Sequence, residues 1–258
     1  MLKINTSLAY QFDEPTDILL QLEAALIPEQ TVTEHHIDIA GNDHFARVEG
    51  HCAIGDRIWL RADKLLTVSY HSQVTIGRLL ADVATLPALE PYLLPGETVD
   101  FLMPSRFCPS DRFGPFVDDE FAGLAGGQRI AAIRDWVAQH IAYKPGSSDA
   151  FTSASEALVD RAGVCRDFAH LVITMARASA IPARYVSVYA PDVTPQDFHA
   201  VAEVFLGGAW HMVDATGMST PAETAKIGVG RDAADVPFLS SFGNAVMVEQ
   251  VVTVERVG

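Results

Sequence analysis

The sequence predicts an α+β protein, and three observations carry that prediction. Strand-type segments fill roughly the first hundred residues, helical periodicity takes over between residues 127 and 180, and a glycine-joined pair of strands follows near residues 198–215. Strands and helices thus stand in separate runs along the chain instead of alternating.

In the first run, Leu2 to Phe12 alternates in part, and Thr33 to Ile39 and Ile58-Trp59-Leu60-Arg61-Ala62 read as further strands. Lys64 to Ile76 carries the β-branched and aromatic content that suits a pleated surface. Asp13-Glu14-Pro15, Gly41-Asn42 and Gly55-Asp56 punctuate these pieces as turns. Ile18 to Leu26 fits a short helix and a hydrophobic strand equally well. Between Pro87 and Pro115 the chain holds Pro87, Pro91, Pro95, Pro104, Pro109 and Pro115, and reads as the passage between two domains. A β-rich accessory domain is expected over residues 1–95 and a second domain over 96–258. Phe101, Leu102, Met103 and Phe107 should pack within the passage.

The second run begins at Gly127 to Tyr143, where Ile130, Ile133, Trp136, Val137 and Ile141 form one stripe of an amphipathic helix. Ser153 to Arg161 opens with Ser153 and has Glu156 three residues on, the capping-box spacing. Val164 to Ala180 is a third helix, stopped by Ile181-Pro182. Strands are expected at Ala183 to Tyr189, Phe198 to Leu206, Trp210 to Ala215 and Ala245 to Val254, with Gly207-Gly208 as a hairpin turn.

Composition narrows the function. Of 258 residues, 33 are acidic and 18 basic, a formal net charge of −15 that repels phosphate backbones and anionic membranes. Nucleic acid and membrane are therefore not expected partners. The Met1-Leu2-Lys3-Ile4-Asn5-Thr6 start has no secretory pattern. The most apolar stretch, Leu171 to Ala190, is broken by Arg177, Pro182 and Arg184. Cys52, Cys108 and Cys165 are an odd number at wide spacings, which suits neither a disulfide framework nor a metal motif. A free thiol fits a reducing compartment, with the cytoplasm as the expectation.

Cys165 stands where the third helix should begin, directly after Gly163-Val164. A thiol there meets the positive end of the helix dipole and unsatisfied N–H groups, which favour a nucleophilic thiolate. Buried, inert packing is the competing role of any single cysteine. A cysteine nucleophile needs a base, and the base needs an orienting group. His199 lies in the strand Phe198-His199-Ala200-Val201-Ala202-Glu203-Val204 and Asp214 closes the next. The Gly207-Gly208 hairpin brings the two side by side.

Gly163-Val164-Cys165-Arg166-Asp167-Phe168-Ala169-His170-Leu171 resembles the nucleophile motif of the transglutaminase-like superfamily. Phe198 to Val204, Gly208-Ala209-Trp210 and Asp214-Ala215-Thr216 resemble its histidine and aspartate segments. Further stretches, Phe101 to Asp111 and Gly230 to Pro237, resemble bacterial members, as does the N-terminal β region. The departure is Ala215, where the family usually has proline, and it is expected to loosen that strand end. The resemblance implies a papain-like core of helices on an antiparallel sheet, with Cys165, His199 and Asp214 as catalytic triad. It implies attack on an amide or ester carbonyl through a thioester, in a protease or amidase sooner than in a cross-linking enzyme. The Cys165 N–H is the first oxyanion donor, and Tyr143-Lys144-Pro145-Gly146-Ser147-Ser148 is a source for a second. The partner is then a peptide or protein amide substrate.

Competing roles bound this reading. Asp167 fits a cap-region charge and His170 a packing residue. Glu203 shares strand parity with His199, which allows it a place along the cleft and leaves its role open, while Trp210 either shields the site or is core. His211 and Asp214 point to opposite strand faces, and His35, His36, His44 and His51 lack ligand spacing, so no metal or other cofactor is expected. No calcium loop occurs. Cys52 and Cys108 are expected to be structural. A non-catalytic scaffold that keeps the fold is the alternative function.

Overall fold

The structure, a computed structural model, describes residues 1–257. The Asp13–Pro15 turn joins β1 (Leu2–Phe12) to β2 (Thr16–Leu20), so the first part of the ambiguous Ile18–Leu26 segment is strand. β3 (Gln30–Glu49) and β4 (Asp56–Ile76) then form one long hairpin, which merges segments that read as separate strands. Gly41-Asn42 is not a turn but a bend inside β3, where the register slips on either side of Asn42. Gly41 has φ +87°, and a Cβ there would lie 1.8 Å from the Leu65 carbonyl oxygen, so no other residue fits. Beyond the bend β4 changes partner, pairing through Leu65–Val74 with β1 and through Ile58–Ala62 with β2. β3, on the open edge, is mostly exposed and carries Glu34, His36, Asp38 and Asp43, charges that discourage edge-to-edge association.

Four helices follow: α1 (Gly114–Glu120), α2 (Gly126–His140), α3 (Ala154–Asp160) and α4 (Cys165–Ala178). Ser153 caps α3 and Glu156 reaches back to the Ser153 N–H at 2.9 Å, the expected capping box. The two-residue strands β5 (Ala142–Tyr143) and β6 (Ala162–Gly163) pair in parallel just ahead of α4. A four-stranded antiparallel sheet comes next, in the order β10-β7-β8-β9. Its members are β7 (Ala183–Tyr189), β8 (His199–Leu206), β9 (Ala209–Val213) and β10 (Ala225–Gly230).

Both faces of this second sheet are covered. Ala183, Tyr185, Ala200, Ala202, Val204 and Val213 pack with Ile133, Val137, Leu171, Val172 and Met175 of the helices. The opposite face carries Val186, Val188, Val201, Met212 and Val229, with Ile54 packed against them, while Tyr189 of β7 and Ala225 and Ile227 of β10 join the core of the first sheet. Full burial of each large aliphatic side chain contributes about 1.5–3 kcal/mol, so the two faces together hold this middle layer in place. The expected arrangement of helices on an antiparallel sheet is present.

The chain returns to the first sheet at its end. β11 (Leu239–Ser241) pairs with β2, and β12 (Ala245–Arg256) pairs with β1 from Leu2 opposite Arg256 to Phe12 opposite Ala245. The expected division at residues 95/96 therefore does not follow sheet membership. The C-terminal strand assigned to the second domain buries Val252 and Val254 in the same core as Leu2 and Ile4. A composition change marks the proline-rich passage but carries no signal of this long-range pairing. No helix among the described residues is long and apolar enough to cross a membrane.

Candidate active site

The start of α4 is fixed from three sides. Ala142 N–H donates to the Arg161 carbonyl at 2.8 Å and Lys144 N–H to that of Gly163 at 2.9 Å, tying the approach to β5. A Cβ on Gly163 would lie 2.6 Å from Asp167 Cβ, so glycine is required for the turn into the helix. Asp167, fully buried, accepts the Val164 N–H at 2.8 Å and the Ser148 hydroxyl at 2.6 Å through one oxygen. This carboxylate is half of a capping box, the cap-region role expected of it. Cys165 is the first residue of α4, so its N–H has no acceptor within the helix.

β8 and β9 bring His199 and Asp214 together. Ala202 pairs with Val213, the last paired residue of β9, and His199, three residues before Ala202, has its Nε2 2.9 Å from Oδ2 of the next residue, Asp214. β9 stops at Val213, short of the expected Ala215, because Asp214 Oδ1 turns the chain by accepting the Thr216 N–H at 2.8 Å and hydroxyl at 2.7 Å. The Ser219 hydroxyl donates to Oδ2 at 2.7 Å. These bonds pin the strand end that Ala215 was expected to loosen, and Ala215 itself is buried in the core. Burial alone would raise the Asp214 carboxyl, but the donors from His199, Thr216 and Ser219 hold it below the usual carboxylate range.

For His199, burial is the largest influence and disfavours the charged ring. The hydrogen bond to Asp214, the interaction with the Cys165 sulfur and both negative charges outweigh it and push the imidazole up to about 9. Asp214 occupies Nε2. Nδ1 is buried with no partner of its own, and is the nitrogen left for the thiol. The Tyr143 hydroxyl, on β5, interacts with both the backbone and the sulfur of Cys165; burial and then the Cys165 charge push it up to about 12, so it remains a donor at neutral pH.

Cys165 and His199 open onto a cavity of about 550 Å³. Arg106, Arg166, Phe151 and Tyr185 line it together with Asp197 and Gln250. Gln250 belongs to β12, so the first sheet contributes a wall of this cavity. Sequence patterns gave no sign of Gln250. Asp197, two residues before His199, was visible only as part of the loop that enters β8.

Other expected residues lie elsewhere. Glu203 has the parity of His199 but does not line the cavity. It is fully buried and bonded to Arg184 at 2.7 Å and to Lys226 at 2.7 Å, and Lys226 also pairs with Glu29, in the turn just before β3. Arg184 of β7 and Lys226 of β10, strands of the same sheet, take up the Glu203 carboxylate instead of the cleft. Trp210 stacks on the Arg184 guanidinium at 4.1 Å, remote from the cavity lining. His170 accepts the Ala233 N–H at 3.2 Å, stacks on Phe107, and is held well below the ordinary histidine value by burial. His211 is bonded to the Leu206 carbonyl at 3.2 Å. Cys108 is buried, whereas Cys52 is exposed in a short 3-10 turn between β3 and β4, not in a strand. Among the described residues, no group of three or more His, Cys, Asp or Glu side chains is arranged to hold a metal.

Comparison with known proteins fits this geometry. A family model described as the transglutaminase-like superfamily matches residues 120–215, which span α2 through Asp214. The crystal structure of a candidate cysteine protease from Cytophaga hutchinsonii superposes with a TM-score of 0.91 at 32% identity, covering 98% of this chain and 89% of that one. An uncharacterized protein of Mycobacterium leprae is 33% identical over 115 residues, which cover 42% of this chain and 41% of that protein. Another from Mycobacterium tuberculosis H37Rv is 36% identical over 110 residues, 37% of this chain and 35% of that protein. The match thus spans well under half the length of these two curated relatives.

Proposed function

This chain belongs to the transglutaminase-like superfamily, and from that premise we propose that it is a cysteine-nucleophile enzyme that cleaves amide bonds through a thioester. The observation that carries the proposal is the His199–Asp214 bond of 2.9 Å, with His199 lining a cavity that Cys165, at a helix start, also lines. A base oriented by a carboxylate beside a sulfur nucleophile is the working unit of acyl transfer.

In this mechanism the Cys165 proton already rests on His199 Nδ1, in keeping with the imidazole pushed up to about 9, and the sulfur attacks the substrate carbonyl as a thiolate. The C–N bond then breaks, the amine leaves with the proton from His199, and the acyl group stays on Cys165 as a thioester. His199 next removes a proton from water as it attacks, and the acid is released with the thiol restored. Such proton transfer contributes typically about 10²–10⁴-fold. The oxyanion takes hydrogen bonds from the Cys165 N–H and, in this proposal, from the Tyr143 hydroxyl. Asp214 keeps the ring oriented and stays ionised.

Hydrolysis is favoured over cross-linking by the likeness, over nearly the whole chain, to the candidate cysteine protease. The substrate is a peptide or protein amide. A reducing compartment such as the cytoplasm suits a chemistry that depends on a free thiol. The test is a screen of peptide amides with and without added primary amine, using Cys165→Ala as control. Amide cleavage that needs no added amine and disappears in the variant is expected. Turnover only with the amine would replace hydrolysis by transamidation.

A further inference from the structure

The lining of the active-site cavity includes a carboxylate, Asp197, that the acyl-transfer mechanism does not use. Asp197 Oδ1 accepts the Phe198 N–H and the Gln250 amide, each at 2.7 Å. Neither donor is a cation, and among the described residues no Lys, Arg or His pairs with Asp197, although fifteen such pairs occur elsewhere in the chain. Gln250 spends its amide N–H on Asp197, and its carbonyl oxygen Oε1 is buried without a hydrogen-bond partner. Both side chains line the cavity that holds Cys165 and His199. A carboxylate and an orphaned amide oxygen side by side are acceptors only. Buried acceptors left unmatched cost free energy that a donor-rich ligand would recover.

We propose that Asp197 and Gln250 form a subsite for a primary ammonium group on the acyl donor. An ammonium has three N–H donors and a positive charge, enough to bond Asp197 and Gln250 Oε1 together. A protonated amine has no free electron pair, so the group bound here is a recognition handle and not the attacking nucleophile. Asp197 is two residues from His199, which puts the handle close to the carbonyl under attack. The handle is either a free N-terminal α-ammonium or a lysine side chain. The same cavity is also lined by Arg106 and Arg166, which repel the ammonium and leave Asp197 as its partner.

This inference rests on reading the cavity as the acyl donor's site, but its test does not depend on turnover. Cys165 is alkylated with the neutral reagent iodoacetamide at pH 6.5 while leucinamide, N-acetyl-leucinamide or N-acetyl-lysinamide competes. The expected result is protection by one of the two cationic amides at a concentration roughly tenfold or more below that needed for N-acetyl-leucinamide. Leucinamide alone identifies an α-ammonium site, and N-acetyl-lysinamide alone a lysine site. In Asp197→Asn the preference should collapse. In wild-type protein it should shrink as salt is raised, which supplies a check even if the variant folds poorly. Equal protection by all three amides, no protection by any, or an unchanged preference in the variant would overturn the proposal. Acylation of Cys165 by a neutral ester is read separately, so failure of the subsite and failure of the nucleophile assignment give different results.

Discussion

Asp214 Oδ2 lies 2.9 Å from His199 Nε2, and the same carboxylate takes three further bonds from Thr216 and Ser219. A carboxylate held this way cannot rotate to release the imidazole, so the ring keeps Nδ1 turned to its work. Asp214→Asn preserves the shape but presents an amide where the charge was. We expect kcat/KM to fall by about 10²–10⁴-fold, the range spanned by loss of an orienting carboxylate or of general base catalysis. A loss under threefold would show that Asp214 does not orient the base.

The raised His199 pKa makes a stability prediction with a definite sign. The folded value of about 9 exceeds the unperturbed 6.5. The protonated ring therefore stabilises the fold fully below about pH 6.5, and that contribution is lost as pH rises through about 9. A shift of that size corresponds to about 3 kcal/mol. Urea unfolding at pH 6, 7.5 and 9.5 should show stability falling across this window, and His199→Gln should remove most of the slope. An identical slope in the variant would contradict the assignment.

Glu203 holds two buried cations, Arg184 and Lys226. Its pKa is lowered: burial opposes the charge, but Lys226 and Arg184 prevail. Glu203→Ala leaves both cations without their shared partner and is expected to destabilise the protein by about 3–5 kcal/mol. Thermal unfolding measures this. A change below 1 kcal/mol would mean that the cations find other partners.

The three thiols should differ sharply in reactivity. Cys108 is fully buried, donates weakly to the His170 carbonyl at 3.7 Å, and burial pushes its thiol up to about 12. Native alkylation should spare it, and Cys108→Ser should leave activity largely intact at a stability cost of about 1–3 kcal/mol. Complete inactivation of a folded Cys108→Ser protein would give Cys108 a role absent from this mechanism.

Much of the site was legible because its signals are local. Gly163 before Cys165, the reach-back carboxylate of Asp167, and the Gly207-Gly208 hairpin that aligns His199 with Asp214 each report on a few neighbouring residues. What stayed hidden depended on contacts across the chain. Parity placed Glu203 with His199, but only the packed structure showed that Arg184 and Lys226 turn its carboxylate into an ion-pair centre. The return of β12 to β1 joins residues at opposite ends of the chain, and no turn residue announces it. That return also delivers Gln250 to the cavity. Gly41 misled in the other direction, since a glycine that permits a bend within a strand looks the same in sequence as one that ends it.

The central claim is that Cys165 carries the acyl group. Incubation with a neutral p-nitrophenyl ester, acid quench and peptide mapping by mass spectrometry tests it directly. The account predicts one acyl adduct, on the peptide that contains Cys165, released by hydroxylamine and absent from Cys165→Ala, which also releases p-nitrophenol no faster than buffer. An adduct on another residue, or undiminished turnover by Cys165→Ala, would contradict it.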